Sequence, residues 1–222
     1  MGSLTSLKKR VAELLDEEPK AINSRSLFLT KAGLLTSEGR GKTAIARPSD
    51  ATNLLLAFLG GGQATDVVNT VTSLRGATGN HPGKNSPDFP PVDFFQAVPV
   101  FTYDDLGARA VKARGRYYHR LGDALDAVFT AWSSKAELLK FTDVDEPIED
   151  IDLTIRHWRT GWSAELLLSD GEARDWKFSF VAGNSKTEIT SVEEFEKRGD
   201  RLIRESVGFT TFCRLSNELR SA

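Results

Sequence analysis

Residues Leu35–Ala46 read LTSEGRGKTAIA, and they decide between two folds. Gly41-Lys42-Thr43 is the ending of a nucleotide-binding phosphate loop, G-x-x-x-x-G-K-[ST], whose glycines let backbone amides wrap a phosphate. The place of the first glycine is taken by Thr36, and Pro48 restarts a helical pattern five residues after Thr43. A phosphate loop also leaves a buried strand, whereas the pattern before Gly33 is helical. The stretch is therefore expected to be a basic hairpin, Leu35–Arg47, punctuated by Gly39 and Gly41.

Short helices surround this hairpin. Leu4, Leu7, Val11, Leu14 and Leu15 recur at spacings of three and four, which predicts an amphipathic helix over Leu4–Leu15. A second helix is expected over Asn23–Ala32, with Asn23 or Ser24 as N-cap and Gly33 as the stop. Glu17–Asn23 would be the turn between them. Pro48-Ser49-Asp50 opens a third, capped by Ser49 or Asp50 and running to Leu59, where Gly60-Gly61-Gly62 ends it. Ala64–Leu74 is expected to form a fourth.

The order helix, turn, helix, Gly33-Leu34-Leu35, glycine hairpin, leucine-rich helix resembles the winged helix-turn-helix of MerR-type regulators. The resemblance covers about Leu7–Leu59. It implies a helix-turn-helix over Val11–Leu35, a wing over Thr36–Arg47 and a helix Asp50–Leu59 that packs back on the core. Leu27-Phe28-Leu29 stand near the place of the family's Arg-Tyr pair, and no effector chemistry carries over to the C-terminal half.

A helix of this kind can enter the major groove, about 12 Å wide, and present side chains to base edges. The polar positions on the second helix are Asn23, Ser24, Arg25, Ser26 and Lys31. Arg25 is the candidate for bidentate contact to guanine, and Asn23 for adenine or a phosphate. Arg40, Lys42 and Thr43 on the hairpin suit phosphate or minor-groove contact, with Arg47 flanking them. The charge agrees. Between Pro19 and Ser49 six basic residues face one acidic residue, Glu38, for a local net charge of +5 in a chain whose overall net charge is −2. A whole-chain charge near zero therefore says nothing against a nucleic-acid partner, although charges like these also serve simply to solvate a small helical domain.

Composition excludes other classes. The chain has 222 residues, 40% apolar and 27% charged, as an ordinary globular protein does. One cysteine, Cys213, rules out internal disulfides and multi-cysteine zinc sites. The longest apolar run, Leu54–Leu59, falls far short of the ~20 residues that span a membrane. Acidic residues follow the basic cluster Lys8-Lys9-Arg10 where a signal peptide would be apolar, so a cytoplasmic location is expected.

Gly76–Pro91 holds three glycines and four prolines in sixteen residues and is expected to be a linker, extending to about residue 95. It would separate a winged helix-turn-helix domain, 1–75, from an α+β domain for dimerisation or partner binding, 96–222. In that second half Asp104–Lys140 is expected to be largely helical. Alternation in Ile151, Leu153 and Ile155, then Trp162, Ala164, Leu166 and Leu168, then Trp176, Phe178 and Phe180 predicts a three-stranded antiparallel meander. Ser191 and Glu194 form a capping-box pattern for a helix to about Ser206, and a last helix lies within Thr210–Arg220.

Other residues carry less. His81, His119 and His157 are scattered, and no HExxH or CxxC pattern provides a metal site. His157 is expected to be a core or interface histidine, and Cys213, among Phe209, Phe212 and Leu215, an inert packing residue. The acidic residues Asp143, Asp145, Glu146, Glu149, Asp150 and Asp152 lack the glycine and terminal glutamate of a calcium loop. Arg109, Lys112, Arg114, Arg116 and Arg120 are expected to be a solvated basic face or a partner to the acidic run, with a second DNA contact as the alternative. Trp162 and Trp176 are expected in the core and Trp158 on the opposite face. No nucleophile–base pair or cofactor loop supports an enzyme.

The expectation is thus an α+β, cofactor-free, non-enzymatic protein that binds double-stranded DNA by sequence as a homodimer, with transcriptional regulation as its use and a prophage or mobile element as a conceivable setting. Whether a small-molecule effector exists is left open. The rival is a phage-related or architectural adaptor that binds DNA or a protein without reading sequence.

Overall fold

Ser3 begins the first helix by accepting a hydrogen bond from the Ser6 N–H at 3.0 Å, the N-cap arrangement that satisfies one of a helix's free donors. The computed structural model describes residues 2–37, 44–81, 117–133, 150–158, 161–169, 175–183 and 203–220. Helix α1 spans Leu4–Leu14 and α2 Pro19–Lys31. Helix α2 starts four residues before the expected Asn23, because Pro19 serves as the first helical residue rather than as part of a turn. Its other end closes in a Schellman motif. Gly33 adopts φ +74°, its N–H bonds Thr30 O, and the Leu34 N–H bonds Leu29 O.

Helix α3, Pro48–Leu59, is buried at every residue from Asp50 to Leu59. A helix apolar on all sides belongs at the centre of a core, and α3 packs against α1, α4 (Val67–Arg75), α5 (Leu121–Ser133) and α6 (Phe209–Arg220). Leu54, Leu55 and Leu56 are wholly buried, each contributing roughly 1.5–3 kcal/mol.

Six antiparallel strands form one sheet in the order β2-β1-β5-β4-β3-β6. They are β1 (Thr78–His81), β2 (Tyr117–Arg120), β3 (Asp150–Trp158), β4 (Gly161–Ser169), β5 (Asp175–Gly183) and β6 (Ile203–Gly208). Ile151, Leu153 and Ile155 of β3, Ala164 and Leu166 of β4 and Phe180 of β5 belong to the same buried cluster as α1, α3, α4, α5 and α6. The α+β class therefore holds.

Two expected helical stretches are corrected. Tyr117–Arg120, placed inside a long helix, is strand β2, and α5 begins only at Leu121. Ile203–Ser206, placed at the end of a helix, belongs to β6, paired along β3 from Asp152↔Gly208 to His157↔Ile203. Strand β1 lies within the stretch read as a linker, three residues after α4. The Ser191–Glu194 capping pattern, most of the basic cluster Arg109–Arg120 and the acidic residues 143–149 lie outside the described residues.

Polar bonds tie the helices across this core. Arg75 at the end of α4 forms an ion pair with Asp126 of α5 at 2.6 Å and bonds Asn53 Oδ1 of α3 at 2.9 Å. The Asn53 amide in turn donates to Leu34 O. The Gly2 N–H bonds Leu219 O at 3.1 Å, and Ser6 of α1 donates to Glu218 of α6. Phe129 stacks on Phe212 with ring centres 5.4 Å apart, and Trp132 meets Phe209 edge-on at 5.7 Å. Cys213 is half-buried beside them, where burial pushes its thiol pKa up and so suppresses the reactive thiolate.

Candidate nucleic-acid interface

The face that α2 turns to solvent is set by the face it buries. Ile22, Ser26 and Leu29 point into the core, which leaves Lys20, Asn23, Ser24, Leu27 and Lys31 exposed. No carboxylate occurs between Pro19 and Lys31, so this face is uniformly neutral or positive. Lys20 and Lys31 stand eleven residues apart, about 16 Å along the helix axis, with the two amide- and hydroxyl-bearing residues between them.

Two of the expected base-reading residues do not belong to this face. Ser26 is 2% exposed, with its hydroxyl buried and unpaired, and cannot meet a base edge from there. Arg25 turns inward. Its guanidinium donates to Ala57 O at 2.9 Å and to Gly62 O at 3.2 Å, and it lies 4.4 Å from the centre of the Phe58 ring. Carbonyls at the end of a helix attract a cation, and the fork geometry of arginine meets two at once. Arg25 thus fastens α2 to the end of α3. The sequence could not show this, since its partners lie more than thirty residues away in the chain.

Of the stretch expected as a hairpin, residues 35–37 and 44–47 are described. Arg40, Lys42 and Thr43 lie outside the described residues. Ala44 O accepts from the Leu4 N–H, and the Ala46 N–H donates to Gly2 O, both at 2.9 Å, so residues 44–46 pair with the N-terminus. Arg47 is exposed at the N-cap of α3. Asp50, one of the two residues expected as cap, is instead in the first turn and 1% exposed. It accepts from the Thr36 N–H, the Thr36 hydroxyl and the Arg47 N–H, each at 2.8 Å. One buried carboxylate therefore ties Thr36 to Arg47, on either side of residues 38–43. The only advance signal for this was the acidic residue in the third helical position, which commonly reaches back to the cap.

A groove of about 610 Å³ runs between α1 and the start of α2, lined by Lys8, Lys9, Glu13, Asp16, Glu17 and Asn23 among others. Its charges are mixed, and Glu13 pairs with Lys9 at 3.9 Å and Arg10 at 2.8 Å. On the sheet, His157 lies flat against Trp162, ring centres 5.1 Å apart and 6° from parallel, and the Trp162 N–H donates to Gly60 O at 3.3 Å. The side chains of Trp158 and Trp176 lie outside the described residues. Among the described residues no three His, Cys, Asp or Glu side chains come together as a metal-ligand set, and no helix is long and apolar enough to cross a membrane.

Compared with protein-family models, with curated proteins and with solved structures, the chain matches none.

Proposed function

We propose that this protein binds double-stranded DNA by sequence and regulates transcription, as a cytoplasmic homodimer whose N-terminal third is a winged helix-turn-helix. The observation that carries the reading is the outward face of α2, where Lys20 and Lys31 bracket Asn23 and Ser24 without a carboxylate among them. Lysines at the two ends suit phosphates on either side of a groove, while amide and hydroxyl groups between them suit base edges. Arg40, Lys42, Thr43 and Arg47 would add contacts from the wing. Two copies on a symmetric site would supply the affinity that one small head lacks.

Fluorescence anisotropy with a pool of random duplexes, titrated across salt and followed by selection of the bound fraction, tests this reading. Salt-sensitive binding with enrichment of an inverted repeat is the expected result. Removing Lys20 and Lys31 together should flatten the slope of log affinity against log salt by about 1.8, two phosphate contacts' worth. Salt-sensitive binding without enrichment would establish the adaptor reading in its place, and absence of binding at low salt would overturn both.

A further inference from the structure

Among the described large apolar side chains only two are exposed, Leu27 at 54% and Ile45 at 53%. Leu27 stands in the middle of the outward face of α2. At about 100° per residue it lies within about 20° of Lys20 and about 40° of both Asn23 and Lys31, with Ser24 about 60° away. Its neighbours Phe28 and Leu29 are drawn toward the core, Leu29 fully. The core thus fixes the rotation of the helix and leaves this one leucine outward, surrounded by amide, hydroxyl and ammonium groups.

The major groove offers one apolar feature, the C5-methyl of thymine, and it distinguishes that base from the other three. Resting on the DNA-binding reading above, we infer that Leu27 packs on a thymine methyl and is a specificity-determining residue of α2. The positive face around it is complementary to the duplex: Lys20 and Lys31 hold phosphates at either side, and the leucine meets the groove floor between them. Each side then covers apolar surface that the other leaves in water, and discrimination against cytosine follows because cytosine has no such methyl.

The test uses the full-length protein and the duplex enriched by selection. Each thymine is replaced singly by deoxyuridine, which removes the methyl and keeps the pairing edge. At one or two positions per half-site the wild type should lose about fourfold in affinity, the effect of one methyl withdrawn from water. Leu27→Ala should bind the parent duplex more weakly and show no further loss on the same replacements. Leu27→Ser, which keeps a small polar side chain at the exposed position, should behave alike, and unchanged melting temperatures would show that both variants fold.

An equal deoxyuridine effect in wild type and variants, or none in either, would overturn the role of Leu27 while leaving sequence-specific binding intact. A shift of either variant from dimer to monomer in light scattering would also overturn it, assigning the leucine to a protein contact. Failure of the wild type to enrich any duplex would instead remove the sequence-specific reading on which this inference rests.

Discussion

The carboxylate of Asp50 accepts two hydrogen bonds from Thr36, one from the backbone N–H and one from the hydroxyl, each 2.8 Å long. With the third bond, from the Arg47 N–H, it joins residues on either side of 38–43. Asp50→Ala would strand three donors at a site that is 1% exposed. The expected loss is about 3 kcal/mol, read from urea denaturation. Asp50→Asn, which retains one accepting oxygen at each moment, should lose less. Neither change touches α2, so any motif enriched by the wild type should be enriched by the asparagine variant as well.

Arg25 is a strut, and its variants should behave as stability variants. Arg25→Ala gives up two bonds to carbonyls and the contact with Phe58. A cost of about 2 kcal/mol, or about 4–8 °C in melting temperature, is expected. Arg25→Lys should recover little, because an ammonium cannot reproduce the fork. A variant that melts like the wild type yet loses preference for a guanine would show instead that Arg25 reads a base. Ser26→Ala, at a buried hydroxyl with no partner, should leave both stability and affinity nearly unchanged.

Three successive glycines end α3, and they are not equivalent. A Cβ on Gly60 would come within 2.5 Å of Thr70 Cγ2, 2.7 Å of Leu74 Cδ1 and 2.9 Å of Leu56 O, where α3 and α4 close on one another. Gly60→Ala should cost about 2 kcal/mol by overpacking. The double variant with Thr70→Ser, which deletes the nearest methyl, should regain part of that. Gly61 and Gly62 sit at φ +66° and +84° with nothing within 4 Å of a new Cβ. Alanine there meets only backbone strain, of about 1 kcal/mol. Thermal melts of the four proteins would rank them.

Burial holds the pKa of His157 below its ordinary value of 6.5. A histidine whose pKa falls on folding binds fewer protons folded than unfolded, so stability drops as pH falls through and below about 6.5. Urea midpoints should therefore be lower at pH 5.5 than at pH 7.5. His157→Phe keeps an aromatic ring for Trp162 to stack on and removes the titration, so its midpoints should lie closer together. Equal pH dependence in both proteins would place the effect elsewhere.

The elements that the sequence made legible are those whose period survives in the chain itself. Leu4, Leu7 and Val11 marked α1, Leu54 to Leu59 marked α3, and the alternation Ile151, Leu153, Ile155 marked β3. Strand β1, Thr-Gly-Asn-His, has no apolar residue to alternate and was invisible among glycines and prolines. Ile203–Gly208 carries too few apolar residues for its period to declare itself, and a strand partner, β3, decided it. The basic character of α2 could be read directly. That Arg25 turns inward could not, because it follows from where Ala57 and Gly62 place their carbonyls.

Helix α3 has a practical consequence for anyone wishing to borrow the head of this molecule. Its walls are supplied by α1 and α4 from before residue 76 and by α5 and α6 from beyond residue 120. A fragment cut at residue 75 would carry away half of that enclosure and bare the leucines that α5 and α6 cover. Arg75 adds a polar tie among these same elements, since it bonds Asn53 of α3 and pairs with Asp126 of α5.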